Sequence, residues 1–160
     1  DQGRNPNKTF WIDEDGVKFK MSNVQAAIGL AQIERADELI EMKRRIFSWY
    51  EDRLSGFKGI HLNKEVEGAK SIYWMSSIRL DEGMKLSRDD LIIELKKRNV
   101  DTRPVFPAIS KYPIWPLKQD PKPIADKIGN TAMNLPSGVC LKKEDIMYVC
   151  DQIIELLELS

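Results

Sequence analysis

Cysteine and histidine are scarce in this chain, with 2 cysteines and 1 histidine among 160 residues. Cys140 and Cys150 are too few for a disulfide framework, and no other cysteine or histidine stands at metal-ligand spacing, so no metal site is expected. His61 is the single imidazole and has no nucleophile motif beside it, which leaves Ser-His-Asp and Cys-His centres without support. An excess of one charge sign is also missing: 25 basic residues balance 25 acidic ones. That balance leaves no electrostatic footprint for nucleic acid or an anionic membrane. No apolar run approaches the ~20 residues that span a bilayer, and no signal-peptide pattern opens the chain. Together these absences favour a reduced, cytoplasmic setting.

What is present describes a globular chain. Apolar residues make up 42% and charged residues 31%, ordinary for a folded domain. A chain of this length buries roughly two thirds of its unfolded surface, enough for a core without staples. Residues 1–21 are polar and irregular, an arm that needs something larger to lie against. Ser22 followed by Gln25 is a capping-box pattern, and apolar residues then recur at helical spacing through Val24, Ile28, Ala31, Leu39, Met42, Ile46, Trp49, Tyr50 and Leu54. A long helix over 22–55 is expected, closed near Gly56. The charges from Glu34 to Arg53 read as its solvated outer face.

Residues 56–160 alternate strand and helix signals. Ile60–Leu62 is a short strand, and the β-branched and aromatic run Ile72–Leu80 reads as a central one. Ser87 caps a helix running to about Arg98, and residues 100–105 return to an extended conformation. A proline-rich loop follows, whose Phe106, Ile109, Tyr112, Ile114 and Trp115 favour burial or binding over a disordered linker. A helix from about Ile124 leads into Met133–Leu135, and a final helix runs from about Lys143 to Leu157. Cys150 sits on its apolar stripe and is expected as a buried thiol. The order predicts an α+β fold, a small sheet with flanking helices.

The stretch Gly16-Val-Lys-Phe-Lys-Met-Ser-Asn-Val-Gln-Ala-Ala-Ile-Gly-Leu-Ala-Gln-Ile-Glu-Arg35 resembles a signature of the DegT/DnrJ/EryC/StrS family of PLP-dependent sugar-nucleotide aminotransferases. Collinear matches follow at Asp1–Arg4, Ile72-Tyr73-Trp74, Asp101-Thr102-Arg103-Pro104 with Phe106, and Asn134–Gly138. The Tyr-Trp-Met and Thr-Arg-Pro-x-Phe segments are most similar to the perosamine-synthase branch of that family. The resemblance implies the small C-terminal domain of an aspartate-aminotransferase-type (fold type I) enzyme, 56–160, carried on the interdomain helix 22–55 with an arm, 1–21, from the large domain.

It also implies that the Schiff-base lysine lies upstream of Asp1, so no catalytic residue is assigned within this chain and the chain is expected to be inactive alone. The turn before the long helix would hold the pyridoxal phosphate of a neighbouring subunit in a homodimer, through Lys18 and Lys20 beside Ser22. Lys18 and Val17 stand where the family commonly has asparagine and tyrosine. Arg103 would contact a nucleotide-linked sugar, with Tyr73, Trp74 and Phe106 lining its pocket and an amino acid serving as donor. Two alternatives stay open: a dehydratase on the same scaffold, and a non-catalytic dimerisation or interaction module.

Overall fold

The computed structural model describes residues 7–8, 13, 15–17, 19–113 and 123–159. The chain divides into two compact units, 1–37 and 38–160. The first contains helix α1, Asn23–Glu34. Its start is the expected capping box: the Ser22 hydroxyl accepts from Gln25 N–H at 3.3 Å, and Gln25 Oε1 accepts from Ser22 N–H at 2.9 Å. No residue of α1 is buried. Helix α2 follows at Ala36–Leu54, so the stretch read as one helix over 22–55 comprises two, parted at Arg35.

In the second unit, α2 lays Ile46, Phe47, Tyr50 and Leu54 into the core at the i, i+4, i+8 spacing of one helical face. It packs with a four-stranded antiparallel sheet of order β1 (Ile60–Leu62), β2 (Ser76–Leu80), β4 (Ala132–Leu135), β3 (Arg103–Pro104). Register pairs Ile78 with Met133 and Ile60 with Leu80. Alternation along β2 turns Ser76, Ile78 and Leu80 inward and leaves Ser77 and Arg79 half-buried on the opposite face. Helices α3 (Arg88–Lys97) and α5 (Lys143–Leu159) complete the core with Leu91, Leu95, Ile146, Cys150 and Ile153. Burial pushes the Cys150 thiol up to about 12, the inert buried thiol its stripe position suggested. Helix α4, Pro123–Thr131, lies along β2 and β4.

Two expected elements are shorter than their sequence signals. The run over 72–80 forms a strand only from Ser76, because Tyr73 adopts φ +46° and no ladder passes through that geometry. The extended stretch over 100–105 meets the sheet only from Arg103 and Pro104 to Val105, whose N–H donates to Ala132 O at 3.1 Å. Pro104 has no N–H to donate, which confines it to a sheet edge, where β3 stands.

Tyr50 is fully buried, and its hydroxyl donates to the Pro136 carbonyl at 2.8 Å, tying α2 to the turn after β4. Removing that hydroxyl leaves a half-buried carbonyl without its partner. Tyr50→Phe is expected to lower stability by about 1–2 kcal/mol in urea titration; an unchanged midpoint and slope would mean the bond contributes nothing.

Candidate active-site cleft

Two neighbouring cavities open on the second unit. The first, of about 280 Å³, is lined by Asn63, Ser71, Tyr73, Trp74, Met75, Ser77, Phe106 and Asn134. The second, of about 190 Å³, is lined by Met75, Thr102, Arg103, Asn134 and Ser137 among others. They share Met75 and Asn134 as a common wall. Three of the four sequence-nominated substrate residues therefore meet in one cavity, and the fourth, Arg103, stands in the next.

The sheet builds the polar floor. Asn134 on β4 faces Ser77 on β2, and its Oδ1 accepts the Ser77 hydroxyl at 2.7 Å. Asn63, just past β1, spans the same strand from the other side: its Nδ2 donates to Met75 O at 3.1 Å and its Oδ1 accepts from Ser77 N–H at 2.9 Å. These amides hold residues 75–77 as a rigid edge under the first cavity.

The aromatics divide into two roles. Tyr73 is 6% exposed, with its ring stacked on Phe47 at 3.7 Å and 8° between planes. Its hydroxyl accepts from Glu65 N–H at 3.2 Å, and burial raises its pKa above the usual phenol. It contributes the wall's anchor. Trp74 and Phe106, 60% and 66% exposed, present open ring faces. Phe106 follows a close approach: a Cβ on Gly129 of α4 would lie 3.3 Å from Pro107 Cα and Ala108 N, tighter than ordinary contact, so the missing side chain eases the 106–108 backbone against the helix.

Tyr73 holds a left-handed conformation that disfavours bulky side chains, worth about 1–3 kcal/mol. One charged group from α2 lies over it, and a second holds the residue that follows. Arg44 lies 5.6 Å from the Tyr73 ring centroid, pairs with Glu65 at 2.6 Å and donates to the Ser71 carbonyl. Glu65 Oε1 also accepts from Ser71 N–H at 2.5 Å. The Arg44 guanidinium, followed by that amide, holds the Glu65 carboxyl below the usual range. Lys43 donates to Trp74 O at 2.8 Å and to Ser137 O at 2.5 Å, while partial burial lowers its pKa.

These two cations were expected on a solvated outer face, and the structure corrects that assignment. Lys43 stands three and four residues before Ile46 and Phe47, so it shares their inward side. That spacing was the available signal. Their acceptors lie 21 to 94 residues away, where no local pattern reaches.

Arg103 is less committed. Its side chain is 80% exposed, with Asp101 3.6 Å away as a weak solvated pair. Lys20 and Ser22 are exposed in the first unit, and the Ser22 hydroxyl is engaged in its cap. Lys18 lies outside the described residues. No acidic residue occupies the first turn of α1, and the N–H groups of Asn23 and Val24 are ones a helix leaves without internal partners. A cation beside such a helix start suits a phosphate.

The fold of this chain, a small antiparallel sheet backed by helices, is shared with solved aminotransferases. Solved structures of that class superpose well. An aminotransferase involved in pseudoaminic acid biosynthesis from Helicobacter pylori matches 99% of this chain and 44% of its own length, with TM-score 0.86 at 16% identity. The aminotransferase TlmJ from Streptoalloteichus hindustanus matches 94% and 40%, with TM-score 0.81 at 22% identity. The chain belongs to the DegT/DnrJ/EryC1/StrS aminotransferase family, whose pattern matches residues 1–154. GDP-perosamine synthases from Caulobacter vibrioides and Escherichia coli O157:H7 are each 35% identical to it, over 98% and 96% of this chain and 42% and 41% of theirs. The chain thus spans about two fifths of the length of these relatives.

Because Glu65 is held below its ordinary range, its pairing stabilises the fold above the usual glutamate pKa and is lost as pH falls through the lowered value. Comparing Glu65→Gln with the parent chain in denaturant series from neutral to acidic pH should show a stability gap that narrows on acidification. A gap independent of pH would rule out the charge as its source.

Proposed function

We propose that this chain is the small-domain portion of a PLP-dependent aminotransferase that converts a nucleotide-linked keto-sugar, of the perosamine-precursor type, into an amino sugar for polysaccharide assembly. The observation that carries this reading is the 35% identity to two GDP-perosamine synthases over nearly the whole chain. Support from geometry comes from the cleft, where exposed aromatic faces stand beside an exposed guanidinium. Such a pair suits a ligand with a flat or ring-shaped apolar part and an anionic part.

In this reading residues 1–21 are an arm of the large domain, 22–55 connect the domains, and 56–160 form the small domain. Trp74 and Phe106 receive the sugar or base, over a wall anchored by Tyr73. Arg103 binds the diphosphate, its planar fork matching two oxygens at once. The rigid edge at 75–77 keeps the two subsites at fixed separation. Lys20, with Lys18, and the start of α1 fixed by Ser22 hold the phosphate of a cofactor bound by the partner subunit of a cytoplasmic homodimer. Pyridoxal phosphate, when bound, supplies the electron sink that amine transfer requires. The lysine that bonds it belongs to the rest of the enzyme, and the donor is an amino acid such as glutamate.

The decisive assay supplies the intact enzyme with a nucleotide-linked 4-keto-6-deoxy sugar and an amino-acid donor, and detects the amino sugar by mass spectrometry. Dehydrated sugar without nitrogen would instead indicate the dehydratase, and no turnover of either kind a binding module. In the active enzyme, Arg103→Ala should raise KM for the sugar nucleotide about tenfold or more, the loss of one charge-assisted contact. Lys18→Ala with Lys20→Ala should weaken cofactor retention, measured by dialysis and absorbance; unchanged retention would discard that assignment.

A further inference from the structure

We infer that Lys43 and Arg44 are positioning residues for substrate: together they lock residues 71–75 in the conformation that turns Trp74 out into the cleft. This rests on reading the cavity as the substrate pocket. The backbone through Tyr73 is left-handed, at φ +46°, which breaks the alternation that turns Ser76, Ile78 and Leu80 of β2 inward. Tyr73 goes inward onto Phe47, and Trp74 goes outward. A relaxed, extended backbone here would continue β2 and alternate its side chains differently. Something must therefore hold the strained form.

Four ties trace from these five residues to consecutive positions on α2, and a fifth runs within the segment itself. Arg44 donates to Ser71 O and pairs with Glu65, which in turn accepts from Ser71 N–H. The Ser71 hydroxyl accepts from Tyr73 N–H at 3.0 Å, carrying the restraint into the strained residue. The Arg44 guanidinium covers the Tyr73 ring. Lys43 closes the segment at its far end by taking Trp74 O.

Lys43 does more than hold one loop. Its second acceptor, Ser137 O, belongs to a residue lining the Arg103 cavity. One ammonium therefore bridges the segment bearing the aromatic wall and the segment bordering the guanidinium. That bridge sets the distance between the two subsites, so loss of Lys43 disturbs both parts of one ligand, whereas a donor that has neither a nucleotide nor a sugar ring does not draw on the pair.

The test uses the intact enzyme carrying Lys43→Met, Lys43→Arg, Arg44→Gln and Trp74→Ala, with two readouts. One is KM for the nucleotide sugar against kcat and the donor KM. The other is the 19F resonance of 5-fluorotryptophan at Trp74. Lys43→Met and Arg44→Gln are expected to raise the sugar-nucleotide KM about tenfold, the scale of one lost stacking contact, with donor KM unchanged. The Trp74 resonance should shift in both, and Lys43→Arg should recover much of the KM. If Trp74→Ala raises KM but Lys43→Met and Arg44→Gln neither raise it nor move the resonance, the positioning role is wrong. If the resonance moves in both variants while even Trp74→Ala leaves KM unchanged, the clamp stands and the pocket reading fails. A loss of melting temperature with both readouts unmoved would make these residues structural only and overturn the inference.

Discussion

Stacking between Tyr73 and Phe47 organises the cleft, because it fixes the direction of the chain just before the sheet's second strand. The two rings lie nearly parallel at van der Waals distance, one from a helix and one from an irregular segment. Tyr73 turns inward, the following tryptophan faces solvent, and the strand begins at Ser76. A left-handed aromatic residue is unfavourable in isolation. It persists because ring contact, the phenol's hydrogen bond and the overlying guanidinium all require the same conformation.

Helix α2 consequently serves two ends. Its apolar stripe supplies buried members of the core, Ile46, Tyr50 and Leu54. Its half-buried cations reach past that core to hold carbonyls on segments remote in sequence. Tyr50 adds a third tie, to Pro136, one residue before the serine that Lys43 grips. Core packing and cleft geometry are thus mechanically joined through a single helix, so the pocket inherits the rigidity of the most buried part of the molecule.

Much of the local structure was legible from local pattern. Ser22 and Ser87 cap helices as their spacing indicated, the latter through Asp90 N–H, and Cys150 occupies the stripe that periodicity assigned it. The α+β architecture followed from element order. What escaped were features decided at long range. Residues 72–80 carry strand propensity throughout, yet tertiary contacts override it at Tyr73. Lys43 and Arg44 look like surface charges because their acceptors come from other parts of the chain. The nominated cleft residues came from family resemblance rather than from pattern, which cannot distinguish an aromatic anchor from an exposed aromatic face. Tyr73 and Trp74, adjacent in sequence, play those opposite parts.

The most direct measurement is a crystal structure of the intact enzyme with a nucleotide-linked keto-sugar bound. The cleft's geometry predicts the ligand against the open faces of Trp74 and Phe106, its anionic part near Arg103, and Tyr73 still left-handed on Phe47. A ligand seated elsewhere, with those faces bare, or Tyr73 swung out to meet it, would contradict the arrangement.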